Sequence, residues 1–304
     1  MTETISIPAP APSRTVPLLV LVAGACVIAF APIFVRLTAT GPAAAGFWRL
    51  ALALPALAAM AFLASRRPGG SAGLGPTRLT LLAGVFFALD LGFWHYGIKL
   101  TTVANATILA NLSPVVVTAA AWLLLGERPR RAFLAGLVMA LAGAWIIAAA
   151  RGGGGGLDPG LGDALSIATS VWYAAYMLVV RKARASQTTS RVMLWSSLAG
   201  AGPLLAAALI LREQVIPASA AGWAACLGLA AVQVAGQGAI AWSLGRLPAA
   251  LASVTILIQP VAASVLGWII FHEPMSPLQI AGGALALTGV LAAQLGARPA
   301  RAAS

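Results

Sequence analysis

Long apolar blocks, separated by short polar segments, dominate the pattern of this chain. Charged, proline and glycine clusters divide the sequence into ten such blocks. A helix of about 20 apolar residues crosses the ~30 Å hydrocarbon core of a bilayer, so each block predicts a membrane-spanning helix. The ten predicted spans cover residues 17–37, 43–64, 79–98, 103–125, 131–150, 161–180, 190–211, 222–244, 249–271 and 278–296.

Few residues remain outside these spans, so no soluble domain is expected. The predicted organisation is a disordered N-terminal tail (1–16), a five-helix unit (17–150), a glycine-rich linker (151–160), a second five-helix unit (161–296) and a C-terminal tail (297–304). The N-terminal tail is rich in proline and threonine and has no apolar block of its own, so we expect no cleavable signal peptide.

The composition agrees with this pattern. Hydrophobic residues make up 60% of the chain and charged residues only 9%, whereas a soluble surface needs roughly a quarter of its residues charged. Mean hydropathy is +0.93. The predicted fold class is therefore an all-α polytopic membrane protein with ten transmembrane helices.

The net charge is +12, from 19 Lys and Arg residues against 7 Asp and Glu residues. What this charge indicates depends on the positions of the cations. Arg49 falls inside the second predicted span, and the opposite-side connections hold Arg36, Lys99, Arg151 and Arg212. All other cations fall on the side shared by both termini, which the positive-inside rule assigns to the cytoplasm. The basic excess is thus a topology signal in a plasma (inner) membrane, and no nucleic-acid partner is expected.

An internal repeat links the two five-helix units. The ungapped offset that places Pro114 on Pro260 also pairs Trp122 with Trp268, Glu127 with Glu273, Gly136 with Gly282 and Gly143 with Gly289. Because each unit has an odd number of spans, equivalent helices cross the membrane in opposite directions. Inverted repeats of this kind build carriers that open alternately to each side.

Several motifs resemble a known family. They are Phe47-Trp48-Arg49 early in the second span, Leu125-Gly126-Glu127 after the fourth with its counterpart Phe271-His272-Glu273 after the ninth, and the paired Pro114 and Pro260. With the ten-span layout, they resemble the drug/metabolite transporter superfamily, EamA-type branch, over about residues 16–296. The resemblance implies an exporter of amino acids or other small metabolites, and the aromatic-rich interior is most similar to the YddG-type amino-acid exporters.

Charges inside a span are expensive and therefore candidates for function. Asp90 is the one acid deep in a predicted span, and Arg49 lies in the neighbouring predicted helix. Asp90 is interpreted either as a proton or cation site facing a cavity or as a structural ion pair with Arg49. Trp94 shares its helical face, whereas His95 and Lys99 share another face that points away. His95 is either a substrate contact or proton relay, or an interfacial histidine.

Polar and aromatic side chains in later spans complete the candidate substrate site. Trp172, Tyr173 and Tyr176 lie well inside the sixth span, where they would offer ring faces and hydroxyls to a neutral or aromatic zwitterion. Gln233 and Gln237 lie four residues apart in the eighth span, and an amide there either binds substrate or ties helices together.

Two prolines and a set of small residues are assigned to architecture. Pro114 and Pro260 interrupt the fourth and ninth spans and are interpreted as hinges or as static kinks that shape the cavity. Gly136 with Ala140, and Gly282 with Ala286, are spaced for close contact between the fifth and tenth spans.

The sequence thus predicts a secondary transporter that exports small metabolites, most of all amino acids, by alternating access. No cofactor, metal site or catalytic cluster is expected, so the chain is predicted not to be an enzyme. The alternatives are a nucleotide-sugar or phosphate-type carrier, a cationic drug carrier, and a membrane-embedded enzyme or receptor. The expected partners are a small-molecule substrate and the bilayer, while proton coupling and the oligomeric state are left open.

Overall fold

A computed structural model describes residues 14–66, 75–101, 106, 109–125, 128–150, 158–272 and 275–297. Every regular element in these ranges is helical. The helices are Thr15–Ile28, Ala31–Leu37, Pro42–Ala51, Leu54–Ser65, Arg78–Leu100, Ser113–Leu125, Arg131–Ala150, Pro159–Arg184, Thr189–Ile210, Ala220–Ala231, Gly238–Leu244, Ala249–Thr255, Ile258–Phe271 and Pro277–Gly296, with a π-helix at Val232–Gln237.

Nine stretches of the described chain are long and apolar enough to cross a membrane. They match nine of the ten predicted spans, and we keep the ordinal names. The predicted fourth span corresponds to the shorter apolar helix Ser113–Leu125. Residues 102–105 and 107–108, in the first part of that predicted span, lie outside the described residues, as do 1–13, 67–74, 126–127, 151–157, 273–274 and 298–304. The count of ten stays a prediction.

Both ends of the described chain meet. The Arg14 guanidinium donates a hydrogen bond to the Ala297 carbonyl oxygen at 3.3 Å. The first span therefore begins on the side where the tenth ends, as an even number of crossings requires. We call this the terminal side and the other the opposite side.

Proline accompanies four helix starts that fall inside predicted spans. The first, second and ninth spans break at residues 29–30, 52–53 and 256–257, ahead of Pro32, Pro55 and Pro260. Pro114 is the second residue of the short fourth helix. Proline lacks the backbone N–H that bonds within a helix interior, but it is tolerated in the first turn, where that N–H has no intrahelical partner. These prolines therefore lie at the starts of new helices. The Ile256 carbonyl, four residues before Pro260, accepts a hydrogen bond from the Gln259 N–H at 2.8 Å.

The fifth and tenth spans form the closest helix pair, as the sequence predicts. A Cβ at Gly143 would overlap the Ala286 backbone, and a Cβ at Gly289 would overlap that of Ala140. These contacts exchange under the repeat, which places Gly143 on Gly289 and Ala140 on Ala286. The two helices therefore pack about a local two-fold relation, at a distance that only glycine permits.

The largest of three buried apolar clusters in the described chain lies among the remaining spans. Its largest fully buried side chains come from the first, second, sixth, seventh, eighth and ninth spans and include Leu21, Leu57, Tyr176, Met193 and Ile240. The third span packs along the sixth and seventh, and the eighth packs along the first. Large apolar side chains such as Leu123 and Ile210 are exposed on the outside of the bundle, as a surface in contact with lipid requires.

Candidate functional site

Arg49 is the buried cation at the centre of the polar residues. It lies in the last turn of Pro42–Ala51, is only 7% exposed, and its guanidinium carbon is 5.4 Å from the Phe87 ring centroid. Its Nε donates to Gln233 Oε1 at 3.0 Å, and Gln233 Nε2 donates to Ser197 Oγ at 3.4 Å. The guanidinium is thus connected to the seventh and eighth spans by charge-assisted and neutral hydrogen bonds.

Asp90 is 8% exposed and has Arg49 as its electrostatic partner. Among the described residues, no ion pair within 4.0 Å joins the two side chains. The arrangement is therefore looser than the closed structural pair considered from the sequence.

The sixth span supplies a stacked aromatic wall. The Tyr176 ring is fully buried, lies 4.7 Å from the Phe87 ring and 6.1 Å from the Tyr173 ring, and is nearly parallel to both. Its hydroxyl donates to the sulfur of Met193 at 4.0 Å. Phe87 also carries the Arg49 contact, so the aromatic wall and the cation share one side of the third span.

The two glutamines lie in a π-helical turn rather than in a regular α-helix. Val232–Gln237 begins one residue before Gln233 and ends at Gln237. π-Helical turns are rare and occur frequently at functional sites, because the wider turn displaces side chains from α-helical positions. Sequence periodicity places both glutamines on one face but contains no signal for the π-turn itself.

Gln237 lies beside the two tyrosines of the sixth span. The side chain is buried beside the hydroxyls of Tyr173 and Tyr176. Within the described part of the chain its Nε2 has no hydrogen-bond partner. A buried donor left unsatisfied costs about 1–3 kcal/mol, and a ligand oxygen would remove this cost.

The other three candidate residues, Trp172, Trp94 and His95, have ring contacts of their own. Trp172 packs between Phe86 and Phe93, with ring centroids 5.9 and 6.1 Å away. The Trp94 ring contacts its neighbour His95 at 5.1 Å. His95 is buried.

The face of the third span that carries His95 differs from the face that carries Asp90. His95 shares its face with Gly84, about three turns earlier, where an added Cβ would overlap the Ser196 carbonyl of the seventh span. The structure thus brings together Arg49, Asp90, Tyr173, Tyr176, Gln233 and Gln237, and places His95 on the side facing the seventh span.

A carboxylate that the sequence analysis missed joins the two halves on the opposite side. Glu213 follows the seventh span, and its carboxylate accepts hydrogen bonds from the Tyr96 hydroxyl and, at 3.0 Å, from the Ala44 N–H. Ala44 lies in the first turn of Pro42–Ala51, where helix N–H groups favour an anion. We call these contacts the carboxylate clasp.

Backbone geometry aims Glu213 at the second span. Arg212 has φ 51°, and the N–H groups of Arg212 and Glu213 donate to the carbonyls of Leu209 and Ala208, which is a Schellman motif without the usual glycine. Gln214 and Val215 then accept hydrogen bonds from the Gly41 N–H at 3.0 Å and from Trp48 Nε1 at 2.8 Å. The signal available in the sequence was one acid in a short connection, which alone does not reveal its partners.

The two hinge candidates, Pro114 and Pro260, lie in the first turns of their helices. Their role as hinges stays a prediction. Within the described residues, no group of three or more His, Cys, Asp or Glu side chains could hold a metal ion. The side chain of Lys99 lies outside the described part.

Comparison with known proteins gives a consistent family match. The family model described as "EamA-like transporter family" matches twice, over residues 15–149 and 160–293. The pseudopaline exporter CntI of Pseudomonas aeruginosa is 27% identical over 237 residues, covering 76% of this chain and 80% of that protein. The uncharacterized transporter YwfM of Bacillus subtilis is 28% identical, with coverage of 70% and 72%.

Two further comparisons extend this result. A probable terminal-alkyne amino-acid exporter of Streptantibioticus cattleyicolor is 28% identical over 192 residues, 62% of each chain. One crystal structure superposes with a TM-score of 0.80 at 22% identity, covering 94% of this chain and 99% of the other. At that identity the superposition establishes the fold alone.

Proposed function

Because the chain belongs to the EamA-like transporter family, we propose that it exports small metabolites, most of all amino acids, across the plasma membrane by alternating access. Membership confirms the resemblance seen in the sequence and makes the chain a transporter rather than an enzyme by family. The observation that carries the substrate proposal is the separation of Arg49 and Asp90 within one buried cluster.

Opposite charges that are not closed into a pair suit a zwitterion. The substrate carboxylate would bind Arg49 and the unsatisfied Nε2 of Gln237, and the ammonium group would bind Asp90. The stacked rings of Phe87 and Tyr176 would contact an apolar side chain. Fixed donors near the middle of the bundle are the general arrangement of substrate sites in inverted-repeat carriers.

The orientation proposed here has both termini in the cytoplasm, following the distribution of cations. The carboxylate clasp then lies on the outer side and joins the halves there. In this arrangement substrate enters from the cytoplasm and leaves after the clasp has opened.

Relatives named as exporters support the direction of transport. Two relatives are named as exporters, one of pseudopaline and one, as probable, of a terminal-alkyne amino acid. At 27% and 28% identity they support an exporter of amino-acid-like metabolites, and the substrate itself must come from measurement.

Counterflow in proteoliposomes against a panel of amino acids, nucleosides, sugar phosphates and cationic drugs tests the proposal. We expect exchange of a neutral or aromatic amino acid, with at least tenfold loss in Asp90→Asn and Tyr176→Ala, since each removes a buried polar contact. His95→Ala distinguishes two roles for His95. Slower transport by a stably folded variant would indicate a substrate contact, whereas lower stability would indicate a packing role.

Asp158→Asn is the matched control. Asp158 accepts a hydrogen bond from the Leu161 N–H at the start of the sixth span, and asparagine caps a helix equally well. Transport that is unchanged in Asp90→Asn and Tyr176→Ala would refute the site. Exchange of cationic drugs alone, dependent on Asp90, would replace the amino-acid proposal with a cation carrier.

A further inference from the structure

A cavity of about 340 Å³ opens on the terminal side of the bundle, between the first, second, seventh and eighth spans. Its lining is almost entirely apolar and includes Val20, Leu57, Met60, Met193 and Trp242. Met60 is 47% exposed at the outside of the bundle. The cavity therefore adjoins the hydrocarbon of the bilayer.

The cavity extends through most of one leaflet. It follows the eighth span from Trp242 to Ala235, and Arg246 comes about one turn after Trp242. At 1.5 Å per residue, Trp242 and Ala235 are about 10 Å apart along the helix axis. Half of the ~30 Å hydrocarbon core is about 15 Å, so with Arg246 at the headgroup level the cavity lies within the hydrocarbon of one leaflet.

Two arginines lie near the Trp242 end of the cavity. The Arg246 guanidinium carbon lies 3.7 Å from the Trp242 ring centroid, and one of its nitrogens donates to the Trp242 carbonyl at 3.0 Å. Arg184 is an electrostatic neighbour of Arg246, and its Nε has no hydrogen-bond partner within the described residues. Thr189 and Ser190, in the first turn of the seventh span, line the cavity at the same level.

Two neighbouring guanidinium groups, and a helix N-terminus that lines the same cavity, favour a phosphate oxygen. An apolar cavity beneath them stays free of water but accepts a hydrocarbon chain. These two features in this order, from surface to midplane, match the two parts of an anionic phospholipid.

We propose that the cavity holds one acyl chain of an anionic phospholipid from the leaflet on the terminal side, with its phosphate at Arg246 and Arg184. The inference is separate from the identity of the transported substrate, because lipid binding is measured without transport. It also gives the lipid a route to the candidate site, since Met193 lines the cavity and its sulfur accepts the Tyr176 hydrogen bond.

Native mass spectrometry of the purified full chain tests this inference. The probes are phosphatidylglycerol and phosphatidylcholine with identical acyl chains, added after delipidation. We expect one phosphatidylglycerol to bind with roughly 30-fold preference, since each of the two cations near the membrane surface contributes about 1 kcal/mol. Arg246→Ala should reduce that preference about fivefold while leaving the exposed turn folded.

Arg66→Ala is the matched control, because Arg66 also stacks on an aromatic ring, with its guanidinium carbon 4.2 Å from the Phe62 centroid. Neither Arg66 nor Phe62 lines the cavity. We expect this variant to retain the bound lipid. Equal loss in both arginine variants would show nonspecific surface charge and overturn the proposal.

Met60→Trp provides an independent readout, since it adds bulk at the open, lipid-facing side of the cavity. It should displace the lipid without removing a charge. Retention of the lipid in Met60→Trp, or equal binding of the two probes to the wild type, would place any bound lipid elsewhere and overturn the assignment. Thermal unfolding of each variant shows that lost binding is not lost folding.

Discussion

Single polar residues in an apolar chain are the most informative positions of this sequence. Arg49, Asp90, Gln233 and Gln237 could be selected from the sequence because the cost of burying a polar group in hydrocarbon makes each one an exception. The structure places them together. Ser197 and Met193, which contact the same cluster, are common residues in membrane helices and gave no such signal.

Arg49→Lys tests whether the guanidinium acts through its geometry. Lysine keeps the charge but cannot reproduce the Nε hydrogen bond to Gln233 together with the contact to Phe87. A hydrogen bond to a charged group contributes about 1.5–3 kcal/mol, so we expect a lower unfolding temperature and at least tenfold slower counterflow. Arg66→Lys, at an exposed residue, should match the wild type. Wild-type stability and transport in Arg49→Lys would mean that charge alone suffices.

At the scale of helices, the apolar blocks predicted most elements but not their interruptions. The break in the ninth span was foreseen from Pro260, whereas the breaks before Pro32 and Pro55 were not. The π-turn at Val232–Gln237 was also missed. A π-turn changes the register of backbone hydrogen bonds, and that choice depends on tertiary packing rather than on residue preference.

Gly143→Ala and Gly92→Ala make a matched pair within helices. A Cβ at Gly143 would overlap the Ala286 backbone, whereas one at Gly92 meets nothing within 4 Å. Alanine stabilises a free helical position by about 0.5–1 kcal/mol over glycine. We therefore expect the unfolding temperature to fall in Gly143→Ala and to stay level or rise in Gly92→Ala. Falling stability in both variants would contradict the packing argument.

Pro260→Ala tests the break in the ninth span as a hinge. Alanine restores an N–H and allows Ile258–Phe271 to continue into Ala249–Thr255 as one helix. If the break moves during transport, counterflow should slow several-fold while the unfolding temperature stays within a few degrees of wild type. Pro203→Ala is the control, because Pro203 lies inside a seventh span that remains continuous. Equal rates in Pro260→Ala and wild type would make the break static.

At the scale of the whole molecule, the even number of predicted spans and the internal repeat were the most informative features of the sequence. The Arg14 contact with Ala297 brings both ends to one side, and the exchanged contacts of Gly143 and Gly289 follow the offset read from the sequence. Relations between distant segments were harder to predict. Glu213 reaches Tyr96 and Ala44 only because the seventh span ends in a turn with Arg212 at positive φ.

Glu213→Ala should loosen the opposite side. Removing the carboxylate breaks the hydrogen bonds that Glu213 accepts from the Tyr96 hydroxyl and the Ala44 N–H, which favours separation of the halves there. A cysteine introduced by Ser197→Cys, in a chain with Cys26 and Cys226 replaced by serine, reports access to the candidate site. We expect an impermeant thiol reagent added from the opposite side to label it roughly tenfold faster. A loss of ~1.4 kcal/mol in the stability of the closed state shifts the closed-to-open equilibrium by that factor.

Two variants separate the clasp from general loosening of the loop. Gln214→Ala removes an exposed side chain that bonds only the nearby Ile216 carbonyl, and it should leave the labelling rate unchanged. Tyr96→Phe removes one of the two donors to Glu213, so adding it to Glu213→Ala should accelerate labelling less than it does in the wild type. Additive effects of the two substitutions, or faster labelling in Gln214→Ala, would show that the clasp does not hold this side closed.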